Sequence, residues 1–122
     1  MSQFNFPGNS TTSVLLAAAS CANTAAATGS GFDLQDYEGP MVIIQNHGTS
    51  TGTLDGKIQD SADNSSFADV AGLTFTQSAT TADVKALAIQ SKQVRRYIKY
   101  VGTVGTGPQV VGVTITGVKK SV

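Results

Sequence analysis

Residues 60–66, which read D-S-A-D-N-S-S, and Asp69 just beyond them hold the side chains of this chain best able to do chemistry. Carboxylates, an amide and hydroxyls so closely spaced raise three possibilities: a calcium loop, a pair of catalytic acids, or a turn. An EF-hand loop places oxygen ligands at positions 1, 3 and 5, then Gly at 6 and Glu at 12. Counted from Asp60, position 3 is Ala62 and position 12 is Ala71, so that pattern fails. Paired-carboxylate hydrolysis needs two acids facing each other across a cleft. Asp60, Asp63 and Asp69 are compatible with it, but their spacing does not select it. Asp, Asn and Ser also close turns by bonding their own backbone. The simplest expectation is therefore a strand, an Asp/Asn/Ser turn, and a second strand begun by Phe67.

Other chemistry is scarce. His47 is the only histidine, which excludes a multi-histidine metal site within one chain. No nucleophile elbow, phosphate loop or dinucleotide fingerprint is present. Cys21 is the only cysteine, so no intrachain disulfide can form. Its setting, "LLAAASCA", resembles a lipoprotein signal, but residues 1–13 contain no Lys or Arg to precede the apolar run. Cys21 is expected to be a small apolar filler. The expectation is a non-enzymatic protein: no catalytic residues, no metal, no cofactor.

The elements that must position these side chains read as strands. At 122 residues the chain fits one domain, and with 13 Gly and only 13% charged residues it matches an all-β protein better than a helical bundle. Met41 to Gln45 is a β-branched buried strand entered through Gly39-Pro40 and closed by His47. From Thr53 to Gln59, Leu54, Gly56 and Ile58 alternate with polar residues. Asp55-Gly56 is a hairpin signal within that run, and the period is followed over it. Phe67–Val70 and Leu73–Thr76 read as two short strands or one broken at Gly72. "DVKALAIQ" alternates weakly, with a helix as runner-up. Ile98, Tyr100 and Val104, then Val111, Val113 and Ile115, mark two strands expected to form a hairpin through Gly105, Gly107 and Pro108. "SVLLAAASCA" is expected to be a strand followed by a loop. These pieces predict an antiparallel β-sandwich, jelly-roll-like, over residues 14–122, preceded by an extended N-terminal arm of residues 1–13 that carries Phe4 and Phe6.

Net charge is zero, yet all eight acids precede Val84 and seven of the eight bases follow it. The halves can pair within one fold, or neighbouring copies can meet acid to base. Arg95, Arg96 and Lys99 beside Tyr97 and Tyr100 resemble a strand whose tyrosines pack and whose bases meet acids more than a nucleic-acid platform. No segment approaches the roughly 20 apolar residues of a membrane-spanning helix.

Three segments, "FDLQDYEGPMVIIQNHG", "GTLDGKIQDSADNSSFADVAG" and "RRYIKYVGTVGTGPQVVGVTITGVKK", taken in order resemble small structural proteins encoded among the head genes of tailed bacteriophages. The resemblance covers about residues 32 to 120 and rests on loose motifs; the N-terminal arm departs from it. It implies a β-sandwich made in the bacterial host cytoplasm that decorates or cements the virion capsid surface by binding the major capsid protein. It further implies a homo-oligomer, with a trimer favoured, and no catalytic residues. The contact side chains expected on these grounds are Phe4 and Phe6 of the arm with Arg95, Arg96, Lys99, Lys119 and Lys120. The alternatives are a tail or neck protein of the virion and a carbohydrate- or host-binding sandwich.

Overall fold

The structure, a computed structural model, describes residues 10–21, 26–49, 52–78, 80–105 and 108–119. Nine strands follow one another: β1 (Ser10–Cys21), β2 (Ala26–Thr28), β3 (Phe32–Asp33), β4 (Tyr37–His47), β5 (Leu54–Ser61), β6 (Ala68–Thr74), β7 (Asp83–Gln90), β8 (Tyr97–Val104) and β9 (Gln109–Lys119). Among the described residues one 3-10 turn, Ser91–Gln93, lies between β7 and β8. One sheet has the order β1-β9-β4-β7 and the other β2-β8-β5-β6, with β3 also paired to β8. Every pairing is antiparallel. Except for the β5–β6 hairpin and the short β2 and β3, which share a sheet, each strand hands the chain to the opposite sheet. That interleaving of early and late strands is the order of a jelly roll.

Period-two apolar residues dictate these elements, because alternate side chains point to opposite faces of a strand. Met41 and Ile43 of β4, Leu54 and Ile58 of β5, Ile98, Tyr100 and Val104 of β8, and Val111, Val113 and Ile115 of β9 are all buried in one core. Full burial of such a side chain stabilises by about 1.5–3 kcal/mol, enough for the period to prevail over the Asp55-Gly56 turn signal inside β5.

Three expectations change. The strands β8 and β9 are not a hairpin: they lie in different sheets, and their apolar rows meet in the core rather than side by side. Gly39 and Pro40 do not precede β4 but sit inside it, where the register to β9 slips between Glu38 and Met41. Gly39 has φ +73, and its N–H donates to Ser91 Oγ at 3.1 Å. Ser10 to Ser13, assigned to the arm, pair with Val118 to Ile115 and so open β1. The segment after Phe67 is one strand, irregular near Gly72 (φ +81).

Candidate functional site

The acid-rich stretch splits into three separate roles. Asp60, at the buried end of β5, accepts hydrogen bonds from the Arg95 backbone N–H (2.9 Å), Nε (3.1 Å) and Nη2 (2.8 Å). Arg95 Nη2 also donates to the Asp60 carbonyl at 2.9 Å. Asp63 turns the β5–β6 loop: its Oδ1 accepts from Ser61 Oγ at 2.8 Å and from the backbone N–H groups of Ser65 (2.9 Å) and Ser66 (3.0 Å). The Ser66 N–H, then the Ser61 hydroxyl and the Ser65 N–H, hold the Asp63 carboxyl at about 2. Asn64 adopts the left-handed region at φ 60, as Asn tolerates. Asp69 lies on the outside of β6, accepting from Gln59 Nε2 at 2.8 Å and from Lys57 Nζ. These acids face donors, not each other, as a turn and ion pairs require. Among the described residues no three His, Cys, Asp or Glu cluster as a metal site.

Among the described residues the sorted charges close within the chain at three points, one of them the adjacent pair Asp83 and Lys85 at 3.2 Å. Arg95 binds Asp60, and Arg96 forks onto Asp33 through Nε (3.0 Å) and Nη2 (2.9 Å). The Arg96 hydrogen bonds, with the Gln35 backbone N–H, lower the Asp33 carboxyl below its usual range. Arg96 also stacks 5.0 Å from the centre of the Tyr97 ring, and Lys99 Nζ sits 4.5 Å over Phe67. Arg96 and its partner are about half exposed, whereas Asp60 is not. Reversing Arg95 would therefore set two carboxylates together at a poorly solvated site, and it cannot leave the domain undisturbed. Phe4, Phe6 and Lys120 lie outside the described residues, as does the side chain of Lys119, whose backbone ends β9.

The feature that sequence reasoning missed is a contrast between the two outer faces. Outward from the β2-β8-β5-β6 sheet stand Asp55, Lys57, Gln59, Asp69, Tyr97 and Lys99. Outward from the β1-β9-β4-β7 sheet stand Thr12, Val14, Val42, Ile44, Val84, Ala86, Ala88, Val110, Thr114 and Thr116. Glu38, at one end, is the single charge among the described outward residues of this second face. Val14 is 60% exposed, Val84 58% and Val110 50%. Thr12 and Thr116 hydrogen-bond each other across the β1–β9 pair at 2.8 Å. The signal was present as uncharged alternate positions in four strands, but only the sheet order reveals that those four lie side by side.

Comparison by sequence found no matching family model and no matching curated protein. Comparison by fold found several. The whole chain superposes on 41% of the crystal structure of the PBSX exported protein XepA, with a TM-score of 0.69 and 14% identity. The SPBc2 prophage-derived protein YomS matches 91% of this chain over 94% of its own, with a TM-score of 0.57 and 14% identity. A chain of the Triatoma virus empty capsid matches 99% over 92% of its own, with a TM-score of 0.51 and 9% identity. The chain spans less than half the length of XepA. At these identities the likeness is one of fold: this chain is a β-sandwich of a kind found in prophage-encoded and viral capsid proteins.

Proposed function

We propose that the protein is a non-enzymatic structural component of a virion, decorating or cementing the head by binding the major capsid protein lattice as a homo-oligomer. The carrying observation is the uncharged face of the β1-β9-β4-β7 sheet, opposite a face rich in charge. Burying charge costs free energy unless it is paired, so a face cleared of charge suits contact with another protein surface. Four strands ~4.8 Å apart, each some eight residues of ~3.3 Å rise, make this face about 500 Å². A standard interface uses ~800 Å² per partner. One such contact is weak, whereas copies linked to one another on a repeating shell gain avidity. The fold likeness to prophage and capsid proteins is in keeping with this reading.

A mass-spectrometric count of the protein in purified particles tests it. About one copy per shell subunit is the expected result. A few copies per particle would move the protein to the neck or tail, and absence from particles would overturn the virion assignment.

A further inference from the structure

Two open sheets leave four strand edges, and an open edge is a template for another strand unless something blocks it. Three of these edges are blocked. β7 turns Lys85 to the core side, opposite the buried Gln45 of β4, and binds it to Asp83 at 3.2 Å. β6 is interrupted by a register slip against β5 and by Gly72 at φ +81. β2 is only three residues long, and β3, on the same side of β8, only two.

The fourth edge, β1, differs along its length. Its register to β9 slips between Val14 and Leu16 and again between Leu16 and Ala19, and the backbone at Gly29 lies against the Leu15 carbonyl. Residues 10–14 have no such protection. They pair with β9 in unbroken register, from Ser10 opposite Val118 to Val14 opposite Thr114. No described strand of their sheet lies on the other side, and their sequence, S-T-T-S-V, carries neither charge nor proline.

Such an edge suits a second copy of itself. A two-fold axis normal to the sheet sets two of these segments antiparallel, and opposed residues then share a face. The register that uses residues 10–14 in full puts Thr12 against the partner's Thr12, with Thr11 opposite Ser13. No like charges meet, because β1 has none. The join also enlarges the uncharged face. Thr12 and Val14 stand outward on it, so two copies present one continuous surface of about 1,000 Å², twice the ~500 Å² of a single copy. That exceeds the ~800 Å² that one partner gives to a standard interface.

We propose that residues 10–14 of β1 pair with the same residues of a second copy, so that the protein meets its shell as a two-fold pair with one joined uncharged face. Backbone hydrogen bonds along the edge supply the affinity, as in strand addition generally. The contact is isologous and closes at two copies. The inference deepens the assembly reading above and rests on it.

The test uses position 12 of the full chain, which the axis brings against itself. Thr12→Lys and Thr12→Glu are each expected to keep their Tm and to sediment as monomers, because like charges then oppose across the axis. Mixed in equal amounts, they are expected to return as a dimer. In a Cys21→Ser background, Thr12→Cys is expected to oxidise to a linked dimer, since opposed strand residues lie ~4.5–5.5 Å apart at Cα, within disulfide reach. Val110→Cys, exposed on the same face but about 20 Å along β9 from Thr116, the neighbour of Thr12, should stay mostly unlinked. A monomeric wild-type chain, a dimer that survives either charge alone, a mixture that stays monomeric, or equal linking at Val110→Cys would overturn the proposal. Particles that carry the protein while the mixture stays monomeric would sink this inference alone. A mixed dimer, with the protein missing from particles, would sink the virion reading alone.

Discussion

Tyr100 of one sheet reaches across the core to Gln45 of the other, its hydroxyl donating to Oε1 at 2.5 Å. Gln45 Nε2 continues to Ser78 Oγ at 3.4 Å. Gly56 and Gly102, cross-strand partners in β5 and β8, make the space: a side chain on either would run into the Tyr100 ring or hydroxyl. Tyr100→Phe leaves the fully buried Gln45 oxygen short of a donor, a loss of about 1–3 kcal/mol. Thermal unfolding should show Tm down by about 3–10 °C. Gly56→Ala should be worse, because backbone and ring must both shift.

The two arginine pairs should behave differently. Asp60→Asn weakens several hydrogen bonds to Arg95 at a poorly exposed carboxylate and should cost about 1.5–3 kcal/mol. Arg96→Glu opens a half-exposed, solvent-screened pair and should cost clearly less than Asp60→Asn. Urea titration of both variants compares them. Equal losses would mean that Asp60 is better solvated than its 12% side-chain exposure implies. Arg96→Glu is also the cleaner probe of whether the basic segment contributes to attachment.

Acid should weaken the protein through the β5–β6 turn. The folded pKa of Asp63 is about 2, against 3.8 for the free side chain. Its contribution is therefore complete above about pH 4–5 and is lost as pH falls through the folded value, the unfolded chain binding more protons in that window. Asp33, Asp69 and Asp83 are shifted the same way. A series of melting curves from pH 6 to pH 2 should show Tm falling with pH. Asp63→Ala should lower Tm at pH 6 and flatten that fall.

Placing a charge on the uncharged face should separate folding from assembly. Val84→Asp and Ala86→Glu alter exposed positions of β7, so stability should change by no more than about 0.5 kcal/mol. Copies per particle should fall tenfold or more. The same charge at Lys99, on the opposite face, should leave the copy number unaltered; loss there and not at Val84 would exchange the roles of the two faces.

The alternation in β5, β8 and β9 was legible because a buried row needs every second residue apolar. The Asp63 turn was legible because its donors are two and three residues away. Sheet partnership was not: the β8–β9 hairpin rested on nearness along the chain, whereas both rows were satisfied by facing each other in the core. Asp60 was hidden for a similar reason, since its partner Arg95 lies 35 positions away and nothing local distinguishes a turn carboxylate from a paired one. The uncharged face became visible only once β1, β9, β4 and β7 were known to be neighbours.

The pairing of β1 with β9 governs when this sandwich can fold. β9 stands between β1 and β4 and bonds to both, so that sheet lacks its second strand until residues 109–119 have left the ribosome. Until then β1 and β4 display apolar rows with no companion between them. Contacts so distant in sequence form slowly, on millisecond-to-second scales for sandwiches, and the waiting chain is open to aggregation. Ribosome-release experiments should therefore find protease resistance appearing abruptly with residues 109–119, and a nascent chain ending at Val104 should depend on chaperones to stay soluble.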